Sequence, residues 1–230
     1  MQKDGIAAWR IDVGDGDSTS AVYTPAADGA SRTLFVFAHG AGGHMSDKAM
    51  LAAAAQLHSV GLDVLRFNFV YREKKLNRPD PMPRLEATTA AVVQHAVDAL
   101  QPQRLILGGR SMGGRAASML VAHGFACDGL LLLAYPLHPA GQLQKLRDAH
   151  LPGIRVPVLC FNGTRDPLCD YELMQKTVQP LTTHWTMHWL EGADHSFHVL
   201  KSSGRSDADV LSEMGRATHA WLATKVKPRS

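Results

Sequence analysis

The stretch RLILGGRSMGGR, from Arg104 to Arg115, joins a short apolar run to a Gly-x-Ser-x-Gly pattern. The run at 105–107 predicts a buried strand, and AASMLV at 116–121 predicts a helix that packs against it. Between them, Gly109, Ser111 and Gly113 have the spacing of a nucleophile elbow, in which a serine stands at the apex of a sharp strand-to-helix turn. We therefore predict Ser111 as a candidate nucleophile in a strained backbone conformation, between two glycines that the tight turn requires.

Alternating strand and helix patterns extend from this turn toward both termini. Most apolar runs lack alternation with polar residues, which is typical of parallel strands covered on both faces. The predicted strands are Ala7 to Val13, Ser20 to Tyr23, Thr33 to Ala38, Leu62 to Phe67, Arg104 to Leu107, Leu130 to Ala134, Val156 to Phe161 and Trp185 to Leu190. The predicted helices are Asp47 to Val60, Arg84 to Leu100, Met112 to Gly124, Tyr171 to Thr177 and about Ala208 to Thr224. The fold class is therefore α/β, with a mostly parallel eight-stranded sheet, an antiparallel N-terminal edge and one domain over 1–230.

An acid and a histidine follow Ser111 in the order that serine catalysis on such a sheet requires. Asp166 lies in the loop after the strand that ends at Phe161, and His195 lies in the loop after the next strand. Carboxyl ends of parallel strands meet at one edge, so these side chains are expected to converge on Ser111. Asp170 is the rival acid, expected instead to cap the next helix, and His198 is the rival base.

Backbone amides near the elbow are the candidate oxyanion donors, because they are already oriented where negative charge develops. Met112 N–H follows the nucleophile directly. Ala41 N–H, in the glycine-rich loop HGAGG at 39–43, is the favoured second donor. His39 is expected to anchor this loop by hydrogen bonding rather than to act as a base.

Bulk composition gives little support to other classes of function. The chain has 45% apolar and 20% charged residues, and its net charge of +3 comes from scattered residues. We expect no nucleic-acid partner, no membrane association and no cofactor. The segment MQKDGIAAWR lacks the apolar region of a signal peptide, and three cysteines are an odd count, so a cytoplasmic location is expected. His184 and His188 are expected on one face of a strand, with no evident third ligand for a metal.

Six motifs together resemble the α/β-hydrolase superfamily over nearly the whole chain. They are HGAGGHMSDKAM (39–50), LRFNFVYRE (65–73), GGRSMGGRAAS (108–118), YPLHP (135–139), NGTRDPL (162–168) and EGADHSF (191–197). The chain resembles more closely a small uncapped group related to a testis-expressed hydrolase-like protein and to the hydrolase-like subunit of the non-specific-lethal chromatin complex. The resemblance implies Ser111 as nucleophile, Asp166 as acid and His195 as base.

The segment between the strands at 130–134 and 156–161 has room for only one short helix, so little or no cap is expected over the site. An open site favours short or exposed esters, and the leading interpretation is a carboxylesterase acting on a small-molecule ester. A thioesterase, peptidase or lactonase would use the same groups, an acyl transferase is less favoured, and a non-catalytic scaffold is the alternative of a different class. Basic residues at 72–78, with Arg110 and Arg115, are a candidate positive rim that would attract acidic substrates. The favoured interpretation, however, is that the loop lysines are solvated and that side chains of the elbow pair with nearby carboxylates.

Overall fold

One eight-stranded sheet organises the chain. The structure is a computed structural model that describes residues 5–26, 32–181 and 183–227. Its strands are β1 (Ala7–Asp12), β2 (Ser18–Thr24), β3 (Thr33–Ala38), β4 (Asp63–Phe67), β5 (Arg104–Arg110), β6 (Gly129–Leu133), β7 (Val158–Gly163) and β8 (Trp185–Leu190). They lie in the order β1-β2-β4-β3-β5-β6-β7-β8. The pairs β1/β2 and β2/β4 are antiparallel and all others are parallel.

Within the described residues, six α-helices accompany the sheet: α1 (Lys48–Ser59), α2 (Val70–Glu73), α3 (Met82–Leu100), α4 (Met112–Ala122), α5 (Tyr171–Val178) and α6 (Asp207–Lys225). All six residues of β3 are buried, and successive side chains point to opposite faces of the sheet, so both faces must be covered. Phe35 and Phe37 pack in one core with α1 and α6, whereas Leu34 and Val36 belong to a second core with α3, α4 and α5. The sheet is thus buried between two helical layers, as its unbroken apolar runs require.

The predicted fold class is confirmed, including the eight strands, the antiparallel edge and the near-absence of a cap. Between β6 and β7 the chain forms only a 3-10 turn at Leu151–Gly153, so the short helix for which this segment had room is reduced to one turn. The four-residue α2 was not predicted. The assignment of all of 1–230 to a single domain stays a prediction.

None of the helices in the described ranges is both long enough and apolar enough to cross a bilayer.

Candidate active site

Ser111 lies at the apex of a tight turn between β5 and α4, with φ 51° and ψ −116°. A non-glycine residue with positive φ is strained, and here the turn is fixed by a hydrogen bond from Ser111 N–H to Leu133 O of 2.8 Å. A Cβ at Gly109 would lie 2.6 Å from Ala38 O, and one at Gly113 would lie 2.5 Å from His39 O. The two glycines of the motif therefore let the end of β3 approach the elbow closely.

Three side chains from three loops converge at this turn. His195 Nε2 lies 2.9 Å from Ser111 Oγ. His195 Nδ1 lies 2.8 Å and 3.0 Å from the two carboxylate oxygens of Asp166. With Nδ1–H donating to the carboxylate, Nε2 is left to accept the serine proton. The residues predicted as nucleophile, base and acid thus form one hydrogen-bonded chain.

The Asp166 carboxylate is fully buried, and its partners compensate for the loss of water. Besides His195, it accepts a hydrogen bond from Asn162 Nδ2 at 3.2 Å and one from Leu168 N–H at 2.8 Å. Sequence reasoning did not single out Asn162, although it begins the same NGTRDPL motif. Its amide also donates to Tyr135 O, which fixes its orientation toward the acid.

Both rival residues have other partners. Asp170 is the N-cap of α5, where its side chain accepts from Leu173 N–H at 2.9 Å, as expected. His198 Nδ1 lies 3.0 Å from the Asp207 carboxylate at the start of α6. Neither side chain hydrogen-bonds to Ser111 within the described part of the chain.

The loop after β3 presents its backbone beside the elbow. Its amides at 42–45 each have an acceptor: Tyr71 Oη, Gly40 O, Asp47 Oδ2 and Asn68 Oδ1. Among the described residues, no acceptor is recorded for Ala41 N–H. Ala41, Met112 and Ser111 all line the same cleft, which has a volume of about 550 Å³.

His39 is fully buried and anchors this loop, as the sequence predicted. Its Nδ1–H donates to Gly40 O at 2.8 Å, while Nε2 accepts from Phe69 N–H at 3.1 Å. Burial lowers the pKa of His39 to about 4. The imidazole is therefore neutral at pH 7 and holds the loop to the segment after β4.

Two residues of the candidate positive rim, Arg110 and Lys74, have other partners. Arg110 donates to His195 O at 2.9 Å and lies over the Phe197 ring at 5.3 Å, so it braces the histidine loop. Lys74 pairs with Asp17 at 2.8 Å. Arg115 does line the cleft, together with Arg147, which the sequence analysis missed because the irregular segment between β6 and β7 carries no periodic pattern.

His184, His188 and the cysteines lie outside the hydrogen-bonded chain of Ser111, His195 and Asp166. Within the described ranges, no group of three His, Cys, Asp or Glu side chains is arranged to hold a metal ion. His188 pairs with Glu213 at 2.8 Å, and His184 lies directly before β8. Cys160 and Cys169 are buried, and burial raises the pKa of both thiols.

Solved structures with the same fold include hydrolases. A serine hydrolase homologue from Coxiella burnetii superposes with a TM-score of 0.75 at 20% identity, covering 94% of this chain and 97% of that one. A serine hydrolase without a lid from Xanthomonas campestris gives 0.75 at 22% identity, over 98% of this chain and 99% of that one. A dienelactone hydrolase from Anabaena variabilis gives 0.73 at 17% identity, over 96% and 98%. At these identities the likeness shows the fold.

The sequence itself matches a family described as the alpha/beta hydrolase domain over residues 31–223. That range includes β3 to β8, the elbow and the loops that carry Asp166 and His195. Since the match covers most of its length, the chain belongs to the alpha/beta hydrolase family.

Proposed function

We propose that the protein is a serine hydrolase that cleaves short or exposed carboxylic esters through an acyl-enzyme on Ser111. The observation that carries the proposal is the continuous hydrogen-bonded chain from Ser111 Oγ through His195 to the buried Asp166 carboxylate. A serine hydroxyl needs such a base to attack a carbonyl at neutral pH.

In the proposed reaction, Ser111 Oγ attacks the ester carbonyl carbon while His195 Nε2 takes the hydroxyl proton. The Asp166 carboxylate stabilises the imidazolium that forms. Met112 N–H and Ala41 N–H donate to the oxyanion of the tetrahedral intermediate. His195 then returns the proton to the leaving alcohol oxygen as the carbon–oxygen bond breaks.

Deacylation repeats these steps with water as the nucleophile. His195 takes a proton from water, the oxyanion is stabilised again, and the acid leaves as Ser111 Oγ regains its proton. The reaction as proposed needs only the ester and water.

The open cleft supports short or exposed esters over esters with long acyl chains that would have to be buried. The described β6–β7 connection forms no α-helical cap over the cleft, so a substrate can reach Ser111 directly from solvent. We further propose a cytoplasmic location, supported by the free, buried thiols of Cys160 and Cys169. The motifs from HGAGGHMSDKAM to EGADHSF support placement in the small uncapped group named above.

The test is turnover of p-nitrophenyl acetate by the wild-type protein and by Ser111→Ala. We expect a fall in kcat of at least about a thousandfold with an unchanged fold, because only the attacking oxygen is lost. Circular dichroism and thermal unfolding provide the folding control. Equal turnover by the two proteins would remove Ser111 from the mechanism, and no turnover by either would favour the scaffold alternative.

A further inference from the structure

Two arginines contribute to the wall of the cleft that contains Ser111. Arg115 lies four residues after Ser111 in α4, about 6 Å further along the helix axis. Arg147 comes from the segment between β6 and β7, so the two cations reach the cleft from different parts of the fold. Both side chains are partly buried.

Neither guanidinium has a carboxylate partner within the described part of the chain. Arg115 Nε is buried and has no hydrogen-bond acceptor among the residues that the structure describes. Over the described ranges, the one hydrogen bond of the Arg147 guanidinium is a long one of 3.5 Å from Nη1 to Pro136 O. A buried donor without an acceptor destabilises the folded protein. The two guanidinium groups therefore have N–H donors that are available to bind an anion.

The two cations are also close enough to affect each other. Burial lowers the pKa of Arg147, and the nearby Arg115 cation lowers it further. Asp80 is the acidic residue that lines the same cleft, and its carboxylate accepts a hydrogen bond from Tyr71 N–H at 3.0 Å. The remaining walls are largely apolar and include Met82, Leu85, Pro136 and Leu168. Apolar walls strengthen the attraction of the arginines for a negative group.

We propose that Arg115 and Arg147 form a subsite for a carboxylate, so that the preferred substrate is an ester that carries a free carboxylate several bonds from the scissile carbonyl. This inference rests on the proposed function for the reaction itself. The planar fork of donors on a guanidinium matches a carboxylate in bidentate geometry, which a lysine cannot reproduce.

A binding measurement tests the subsite without relying on turnover. The probes are succinamate, glutaramate and adipamate, each with one carboxylate and one amide, compared with the neutral diamides of the same length. We expect at least one acid to bind about tenfold more tightly than its diamide in ligand-observed NMR titrations, as charge-assisted hydrogen bonds imply. Equal affinity of acid and diamide at every length, or no binding of any acid, would overturn the proposal.

Variants assign the preference to the two arginines. In Arg147→Gln and Arg115→Gln the ratio of acid to diamide affinity should fall to below about threefold, with Arg147→Lys intermediate. Lys145→Gln is the matched control, because Lys145 is exposed in the same segment and does not line the cleft. Thermal unfolding checks each variant. An acid preference that survives both arginine substitutions in folded protein contradicts the assignment.

Turnover separates this inference from the proposed function. The substrates are p-nitrophenyl monoadipate and its neutral analogue p-nitrophenyl 5-carbamoylpentanoate, with Ser111→Ala used to subtract spontaneous hydrolysis. We expect kcat/KM to favour the acid about tenfold in wild-type protein and to lose that preference in the arginine variants. Ser111-dependent turnover with no acid preference overturns the subsite alone. Acid-selective binding without turnover overturns the hydrolase proposal and leaves the subsite standing.

Discussion

In the proposed mechanism, the reactivity of Ser111 depends on the tautomer of His195, which hydrogen-bonds to the buried Asp166 carboxylate. An ionised carboxylate only accepts hydrogen bonds, so it holds the imidazole proton on Nδ1 and leaves Nε2 free to accept from serine. Asn162 and Leu168 hold the carboxylate in position. The proposed mechanism therefore depends on an acid that does not contact the substrate.

For Asp166→Asn we expect kcat to fall by about a thousandfold or more, because an amide facing Nδ1 favours the opposite tautomer. The matched control is Asp170→Asn, which changes the N-cap of α5 and should leave kcat within about twofold of wild type. Steady-state hydrolysis of p-nitrophenyl acetate measures both. A larger loss in the Asp170 variant than in the Asp166 variant would reverse the assignment of the acid.

Burial of neutral His39 makes stability depend on pH. Its pKa is about 4 in the folded protein and near 6.5 when unfolded, so between these values the unfolded chain binds the extra proton. This contribution to stability is present above pH 6.5 and is lost as the pH falls toward 4. From pH 7 to pH 5 we expect His39 to account for a loss of about 2 kcal/mol in the free energy of unfolding.

Urea unfolding of wild type and His39→Gln at both pH values measures this contribution as a difference. The glutamine variant should lose less stability on acidification, since its side chain does not titrate. Identical losses of unfolding free energy in the two proteins would mean that His39 is protonated in the folded protein at pH 5.

Among the elements, the junction of β3, β5 and α4 determines the shape of the elbow. The added Cβ of Gly113→Ala would meet three backbone atoms of 38–39 at 2.5–2.8 Å, and backbone cannot move aside as a side chain can. We expect a loss of about 1–3 kcal/mol in unfolding free energy. Gly40→Ala is the control, because its Cβ would find its nearest neighbours at 3.5 Å, an ordinary contact. The denaturant midpoints of Gly113→Ala and Gly40→Ala measure the difference. An unchanged midpoint for Gly113→Ala would mean that the backbone around Gly113 has room for a methyl group.

Regular elements were predictable because their signals repeat. The unbroken apolar runs at 33–38 and 130–133 indicated parallel strands, and the positions of Asp166 and His195 after successive strands indicated their convergence. The four residues of α2 are too few to show helical periodicity.

Directions of single side chains were not predictable. The side chain of Arg110 turns toward His195 O, although its place in the elbow gave no indication of this. Arg147 reaches the cleft through an irregular segment, whose path is set by tertiary packing rather than by local sequence. The roles of Met112 and Ala41 as oxyanion donors stay predictions.

The molecule as a whole leaves its cleft open, since the described chain between β6 and β7 adds only one 3-10 turn over the sheet. A closed acyl tunnel would bury each added methylene and raise kcat/KM by about fourfold per group. In an open cleft, longer chains extend into water instead. We expect kcat/KM for p-nitrophenyl octanoate to be no greater than for the butyrate. A steady rise from acetate to octanoate would indicate a buried acyl pocket that forms on binding.

The most direct test of the assembled site is labelling with a fluorophosphonate, which reacts selectively with activated serines. Intact mass followed by peptide mapping should find one adduct, on Ser111, and none in Ser111→Ala or in heat-unfolded protein. A folded protein that acquires no adduct, or acquires it on another residue, would contradict the claim that Ser111, His195 and Asp166 work as one nucleophilic unit.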